Sequence, residues 1–80
     1  MRHLIKFMVR VRKEKNLFSI QEAAFHCKCS EMTIRNFENC TNNSSGNILC
    51  FYIAEILFKC DKPVWDELLY LIKEARGDLV

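Results

Sequence analysis

The stretch Ser19-Ile-Gln-Glu-Ala-Ala-Phe-His-Cys-Lys-Cys-Ser-Glu-Met-Thr-Ile-Arg-Asn-Phe-Glu-Asn-Cys40 decides the fold of this chain. Ser19 and Glu22 have the spacing of a capping box, in which the hydroxyl and the carboxylate each bond an otherwise unpaired backbone N–H. A helix is therefore predicted to begin at about Ile20. Its length is limited by the next N-cap residue of the stretch, which follows after only ten residues.

That next N-cap residue is Ser30, and it predicts a further helix from about Glu31 to Asn39. The preceding helix must then end near Cys27, which leaves a very short connection between the two helices. Such a connection forces consecutive helices to cross at a steep angle. The stretch therefore predicts two short, crossed helices.

The flanking sequence predicts three more helices. Leu4, Phe7, Met8 and Val11 follow the spacing of a buried helical stripe, with the basic residues largely on the other face, so the first helix should end near Asn16. The segment 41–46 is rich in turn formers and is predicted to be a loop. A fourth helix is marked by Leu49, Tyr52, Ile53, Ile56 and Leu57.

The fifth helix is predicted after Asp61, with Pro63 in its first turn and Gly77 at its end. Its apolar residues exceed what one buried stripe needs. Trp65, Leu68, Leu69 and Ile72 form one set, and Val64, Tyr70 and Leu71 lie beyond it. A second apolar face indicates either a fuller core or a homodimer interface. Four residues are candidates for that interface: Val64, Leu68, Tyr70 and Leu71.

Composition sets the class of protein. Eighty residues make a single domain, 1–80, that buries roughly 60% of the surface of its unfolded chain. Half of the residues are hydrophobic, and only two Gly and one Pro occur, which favours a compact all-α fold. No apolar stretch is long enough to cross a bilayer and no signal peptide is present, so a cytoplasmic protein is expected.

Net charge is only +2, but its distribution is uneven. Residues 1–20 carry six basic side chains against one acidic one, whereas residues 61–80 carry five acidic side chains against three basic ones. One end of the molecule is therefore suited to face phosphates.

The five cysteines at positions 27, 29, 40, 50 and 60 are an odd number in a chain without a secretion signal, which favours reduced thiols. Cys27 and Cys29, with His26 and Cys40, nominally offer four zinc ligands, but their spacing differs from the Cys-x2-Cys pairs of common zinc sites. We expect Cys27 and Cys29 to act as small core residues. No metal, cofactor or catalytic constellation is predicted, and no enzyme activity is expected.

The segment from Phe18 to Leu57 resembles the helix-turn-helix domain of the Cro/C1 (XRE, lambda repressor-like) family. Members show a capped second helix with an acidic residue, a small Ala at the helix contact, an apolar residue after the turn, a Ser that opens the recognition helix, two apolar residues on its buried side, and Glu-Asn-Gly. Here these positions are occupied by Ser19, Glu22, Ala24, Cys29, Ser30, Ile34, Phe37 and Glu38-Asn39-Cys40.

The resemblance implies a five-helix lambda repressor-like domain, with the helix-turn-helix at about 19–39 and a dimerising helix at about 62–76. Three positions depart from the family pattern. Ile20 stands where the family often has a phosphate-contacting Gln, and Lys28 and Cys40 stand where it usually has glycine. Both of the last two residues are therefore expected to have positive φ, at roughly 1 kcal/mol each.

The resemblance also implies a function: a small sequence-specific transcriptional repressor of phage or mobile-element type that binds palindromic double-stranded DNA as a homodimer. With Ile34 and Phe37 buried, the expected base-contacting residues are Ser30, Glu31, Met32, Arg35 and Asn36. Glu31 either accepts from a cytosine or pairs with Arg35 one turn later. Contacts to the DNA backbone are expected from Lys28, Asn39, Thr41, Asn42 and Asn43.

Two alternatives stay open. The run from Ser19 to Ala24 together with Thr33 to Glu38 is also similar to MerR-type and excisionase-type DNA-binding domains, which carry a β-wing after the motif. Alternatively, the domain is a protein-interaction module, inhibitor- or antitoxin-like, that keeps the fold without binding DNA. The weak net charge, Glu31 and the missing Gln favour this second alternative.

Overall fold

The computed structural model describes residues 2–41 and 46–77 and contains five α-helices over these ranges. The prediction of an all-α chain with five helices is confirmed. No strand occurs in the two described ranges, so the β-wing of the excisionase-type alternative is not found there. The helices are α1 (Arg2–Lys15), α2 (Ile20–Cys27), α3 (Glu31–Glu38), α4 (Gly46–Lys59) and α5 (Lys62–Gly77).

Hydrogen bonds at the helix ends explain these bounds. The Ser19 hydroxyl accepts from the Glu22 N–H at 3.0 Å, and the Glu22 carboxylate accepts from the Ser19 N–H at 3.0 Å, which confirms the capping box. The Ser30 hydroxyl accepts from the Thr33 N–H at 3.2 Å and caps α3. Before α5, the Asp61 carbonyl accepts from the N–H groups of Val64 and Trp65.

The first three helices end in the same way, in a residue with positive φ. Asn16, Lys28 and Cys40 have φ values of 52°, 55° and 60°. The residue that follows each of them donates its N–H back to a carbonyl in the last turn of the helix, which is the bond of a Schellman motif. The positive φ expected at Lys28 and Cys40 is confirmed, whereas the one at Asn16 was not predicted.

The core is formed where α1 packs against α3, α4 and α5, while α2 packs against α3 and α4. Met8, Ala23, Ile34, Tyr52 and Leu68, one from each helix, are fully buried. All five helices therefore contribute to one hydrophobic core. None of the helices in the described ranges is both long enough and apolar enough to cross a membrane.

Arg12 is an exception to the exposure of the basic residues of α1. It has only 8% of its surface exposed. Its guanidinium lies against Glu38 of α3, with Nε donating to Oε2 at 2.8 Å and Nη2 donating to Oε1 at 3.0 Å. The Tyr52 hydroxyl of α4 donates to the same carboxylate. Arg12 follows Met8 by four residues and so belongs to the buried stripe, where an ion pair accommodates it.

The assignment of the two faces of α5 also needs correction. Leu68 is fully buried, and Val64, Leu71 and Ile72 are partly buried against the core, with the spacing of a helical stripe. Trp65, Leu69 and Tyr70 are the exposed ones. Among the proposed dimer-interface residues, Leu68 is therefore excluded because it lies inside the monomer, Val64 and Leu71 face the core, and only Tyr70 is well exposed.

Candidate nucleic-acid interface

The connection between α2 and α3 consists of Lys28, Cys29 and Ser30. The Lys28 N–H donates to the Phe25 carbonyl at 3.3 Å, and the Cys29 N–H donates to the Ala24 carbonyl at 3.0 Å. These bonds satisfy carbonyls at the end of α2 and turn the chain directly into the N-cap of α3. The relative orientation of α2 and α3 is thereby set by the backbone itself.

Packing fixes one side of α3 and leaves the other side in solvent. Ile34 is fully buried and Phe37 nearly so, as predicted, and the ring of Phe37 lies 5.1 Å from that of Tyr52 in α4. On the opposite side, Glu31, Met32 and Arg35 are exposed, and Met32 has 61% of its surface in solvent. The exposed side of α3 is therefore accessible from its first turn onward.

The charges on this exposed side pair with each other. Arg35 Nη2 lies 3.5 Å from Glu31 Oε1, one helical turn away, and each side chain is about half exposed. Of the two interpretations of Glu31, the structure shows the pair with Arg35. Such exposed pairs contribute only a few tenths of a kcal/mol, so either partner can be recruited by a ligand at little cost.

Two further base-contact candidates are less available. The Ser30 hydroxyl accepts from the Thr33 N–H and also bonds the Thr33 hydroxyl at 2.9 Å, so it already has two partners. Asn36 is half-buried, so its side chain lies at the edge of the exposed side of α3. Its backbone carbonyl accepts from the Thr41 hydroxyl at 3.1 Å and from the Thr41 N–H at 3.0 Å.

The residues predicted to contact the DNA backbone lie at the two ends of α3. Lys28 is exposed in the connection, and Asn39 and Thr41 are exposed after α3. The Thr41 hydroxyl hydrogen is already donated to Asn36, which leaves only its oxygen as an acceptor. Asn42 and Asn43 lie outside the described residues.

One exposed polar side chain in this region was not predicted as a contact residue. Gln21, in the first turn of α2, is exposed and carries an amide donor, while its neighbour Ile20 packs against the core. The helical period could have predicted this exposure. Ile20 lies one turn before Ala23 and Ala24, which are both buried, so Ile20 faces the core and Gln21 is turned toward solvent.

The cysteines of the motif lie partly buried. Cys27 and Cys29 pack against the core, in agreement with a role as small apolar residues. Burial, and secondarily the neighbouring Cys29, raises the pKa of the Cys27 thiol above its usual range. In the described ranges, no group of three or more His, Cys, Asp or Glu side chains is placed to hold a metal ion.

The basic surface of α1 is smaller than its composition indicates. Arg12 is buried in its ion pair, and the guanidinium of Arg10 lies 3.9 Å from Glu67 of α5 and 5.5 Å from the centre of the Phe7 ring. Arg2, Lys6, Lys13 and Lys15 remain exposed. Long-range attraction of an anionic partner by α1 is therefore modest.

Comparison of the chain with protein-family models, curated proteins and solved structures yields no match.

Proposed function

We propose that this chain is a cytoplasmic, sequence-specific DNA-binding transcriptional regulator in which α2 and α3 form a helix-turn-helix unit of the Cro/C1 type. The observation that carries the proposal is the two-sided character of α3. Ile34 and Phe37 hold one side in the core, while Glu31, Met32 and Arg35 project from the other. A helix held this way can enter the major groove without disturbing the core.

Each exposed side chain has a chemical role in this proposal. Arg35 pairs with the O6 and N7 acceptors of guanine, Asn36 with adenine, and Met32 packs on a thymine methyl. Glu31 either accepts from a cytosine N4 or orients Arg35 through the ion pair that it forms in the free protein. Lys28, Gln21 and Asn39 contact phosphates and set the register.

The regulator is proposed to be a repressor of phage or mobile-element type acting on a palindromic operator. In such an operator each half-site is read by one copy of α3, and the two half-sites lie about one helical turn apart. Repression then follows from occupancy of the promoter.

Selection from a random duplex library, followed by fluorescence anisotropy on the selected site, tests the proposal. We expect Arg35→Ala and Asn36→Ala each to weaken binding to that site by about 1 to 3 kcal/mol, roughly five- to 150-fold, because each removes a base contact. Lys73→Ala, which removes an exposed positive charge from α5, is the matched control and should leave the affinity nearly unchanged.

Salt provides an independent readout. The logarithm of the binding constant should fall linearly with the logarithm of salt concentration, with a slope of about −0.9 per phosphate contacted. If no duplex is enriched by selection, or if Arg35→Ala and Asn36→Ala bind the selected site like the unchanged protein, the proposal is wrong.

One observation favours a second candidate, a protein-interaction module that keeps the same fold. On the exposed side of α3 the charge of Arg35 is balanced by Glu31 at 3.5 Å, so this surface presents no net positive charge to phosphates. Glu31→Gln separates the two functions. In a DNA reader it should increase affinity for duplexes that lack the selected site, because the charge of Arg35 is no longer balanced, whereas in an interaction module it should leave DNA binding undetectable.

A further inference from the structure

The solvent-facing side of α4 is apolar along most of its length. Cys50, Ala54, Leu57 and Phe58 are all exposed and follow one another at the spacing of a single helical face. Phe58 has 88% of its surface in solvent, the highest value among the large exposed apolar residues. The opposite side of α4 is buried through Ile48, Tyr52 and Ile56, so α4 is apolar on both sides.

The two charged residues of α4 are directed away from this outer face. Glu55 and Lys59 lie 3.6 Å apart, and Lys59 Nζ also donates to the Leu17 carbonyl at 2.7 Å. Both charges are thus bound within the monomer. The contrast with α1 is clear, because the exposed side of α1 carries Lys6 and Lys13. A helix that is apolar all round is normally covered, so the outer face of α4 requires a partner.

We propose that this outer face is the interface between two copies of the chain, which pair through α4 in antiparallel orientation about a two-fold axis at Ala54. The order of residue sizes along the face supports this arrangement. Ala54 is the central residue, Cys50 lies four residues before it and Phe58 four residues after it. Antiparallel pairing therefore places Phe58 opposite Cys50 of the partner subunit, a large side chain against a small one.

Two other features fit the same axis. Ala54 meets its own symmetry mate, and so small a residue at the crossing point allows the two helices to approach closely. Phe51 and Leu57 lie three residues before and after Ala54 and therefore flank the crossing point, one on each edge of the outer face. Phe51 is already half-buried, supported from within by a stack on His26 of α2 with ring centres 5.4 Å apart.

The exposed apolar residues of α5 are less suited to pairing. Trp65, Leu69 and Tyr70 are interrupted by Asp66, which lies 3.7 Å from Lys62, and by Glu67, which lies 3.9 Å from Arg10. An interface on α5 would bury or separate these ion pairs, at a cost in desolvation. The charge-free face of α4 carries no such cost.

Disulfide crosslinking tests the register directly. In Phe58→Cys, the new thiol should lie opposite Cys50 of the partner subunit, and diamide should oxidise the two thiols to one disulfide, with loss of two protons and two electrons to the oxidant. An intrachain bond between positions 50 and 58 is excluded, because eight residues of helix separate them by about 12 Å, whereas a disulfide requires Cα atoms within about 7 Å.

The expected result is a covalent dimer on a non-reducing gel for Phe58→Cys and its loss in the double variant Cys50→Ser, Phe58→Cys. A monomer band for Phe58→Cys, or crosslinking that persists without Cys50, would overturn the proposed register.

Size-exclusion chromatography with light scattering, across a concentration series, tests the interface without crosslinking. We expect a species of twice the monomer mass of 9.5 kDa, and a monomer for Ala54→Arg. Arginine is a good helix former, and position 54 is exposed, so the fold should persist and circular dichroism should be unchanged. Tyr70→Arg is the matched control on α5 and should remain dimeric.

A monomer in the unchanged protein, or a dimer lost by Tyr70→Arg and kept by Ala54→Arg, would refute the α4 interface. These measurements contain no DNA, so their outcome is separable from that of the DNA-binding experiments.

Discussion

At the scale of single residues, Lys28 holds a backbone conformation that favours glycine. Its φ of 55° and ψ of 48° are left-handed, a region in which Cβ crowds the following carbonyl at a cost of roughly 1 to 2 kcal/mol. The conformation persists because the Lys28 and Cys29 N–H groups bond carbonyls at the end of α2. Backbone strain is therefore located in the connection that orients α3.

We expect Lys28→Gly to raise the free energy of unfolding by about 0.5 to 1 kcal/mol, since the relief of strain exceeds the larger entropy of glycine in the unfolded chain. Urea unfolding followed by circular dichroism measures this change. Lys28→Ala is the control, because it removes the same charge but keeps Cβ, and should bring no gain. An equal gain in both variants would place the effect in the side chain instead.

At the scale of helices, α5 is docked on the core through Leu68. This side chain is fully buried, whereas the adjacent Leu69 is half exposed. The two leucines therefore form a matched pair with the same chemistry and opposite surroundings. The contacts of α5 with α1 and α4 depend on the inner of the two.

Leu68→Ala should lower the free energy of unfolding by about 2 to 5 kcal/mol, because it removes buried methylene groups and leaves a cavity. Leu69→Ala should change it by less than about 0.5 kcal/mol. Chemical denaturation of both variants measures the difference. A similar cost at the two positions would contradict the assignment of the inner face of α5.

The sequence predicts where the helices begin and end better than it predicts which of their faces pack against other helices. The capping box at Ser19 and the N-cap at Ser30 are local signals, and α2 begins and ends where they indicate. The face of α5 that packs inward and the burial of Arg12 depend on contacts with distant helices, so the first was assigned wrongly and the second was not predicted. Two apolar faces on one helix have equivalent periodicity, so only tertiary packing distinguishes them.

In the candidate site, too, burial could be predicted from the sequence but individual side-chain hydrogen bonds could not. Burial of Ile34 and Phe37 follows from their position on α3, and so does the exposure of Met32 and Arg35. The bond between the Ser30 and Thr33 hydroxyls, and the one that the Thr41 hydroxyl donates to the Asn36 carbonyl, could not be predicted from spacing, because each depends on side-chain rotamers.

At the scale of the whole molecule, buried ionisable groups determine how stability depends on pH. Burial, and then the hydrogen bond to Glu38, raises the pKa of the Tyr52 hydroxyl far above its ordinary value of 10.0. Burial also raises the pKa of the Cys27 and Cys60 thiols above 9.0. Each group therefore keeps its proton in the folded chain at a pH where the unfolded chain has lost it.

The sign of the effect follows from linkage between proton binding and folding. A group whose pKa is raised in the folded state contributes stability that is fully present below its ordinary pKa. This contribution is lost as pH rises above that value. We therefore expect the free energy of unfolding to fall above pH 9, where the unfolded thiols ionise, and more steeply above pH 10, where the unfolded tyrosine ionises. Urea titrations between neutral pH and pH 11 measure both stages.

Two variants identify which ionisable group causes each stage of the alkaline loss of stability. Tyr52→Phe should be less stable at neutral pH by about 1 to 3 kcal/mol, because the Glu38 carboxylate loses a buried donor and keeps only Arg12. Its stability should then fall less steeply above pH 10 than that of the unchanged protein. Cys27→Ala should reduce only the fall that begins near pH 9. If Tyr52→Phe retains the full alkaline loss, the buried hydroxyl that joins α4 to the Arg12–Glu38 pair is not its source.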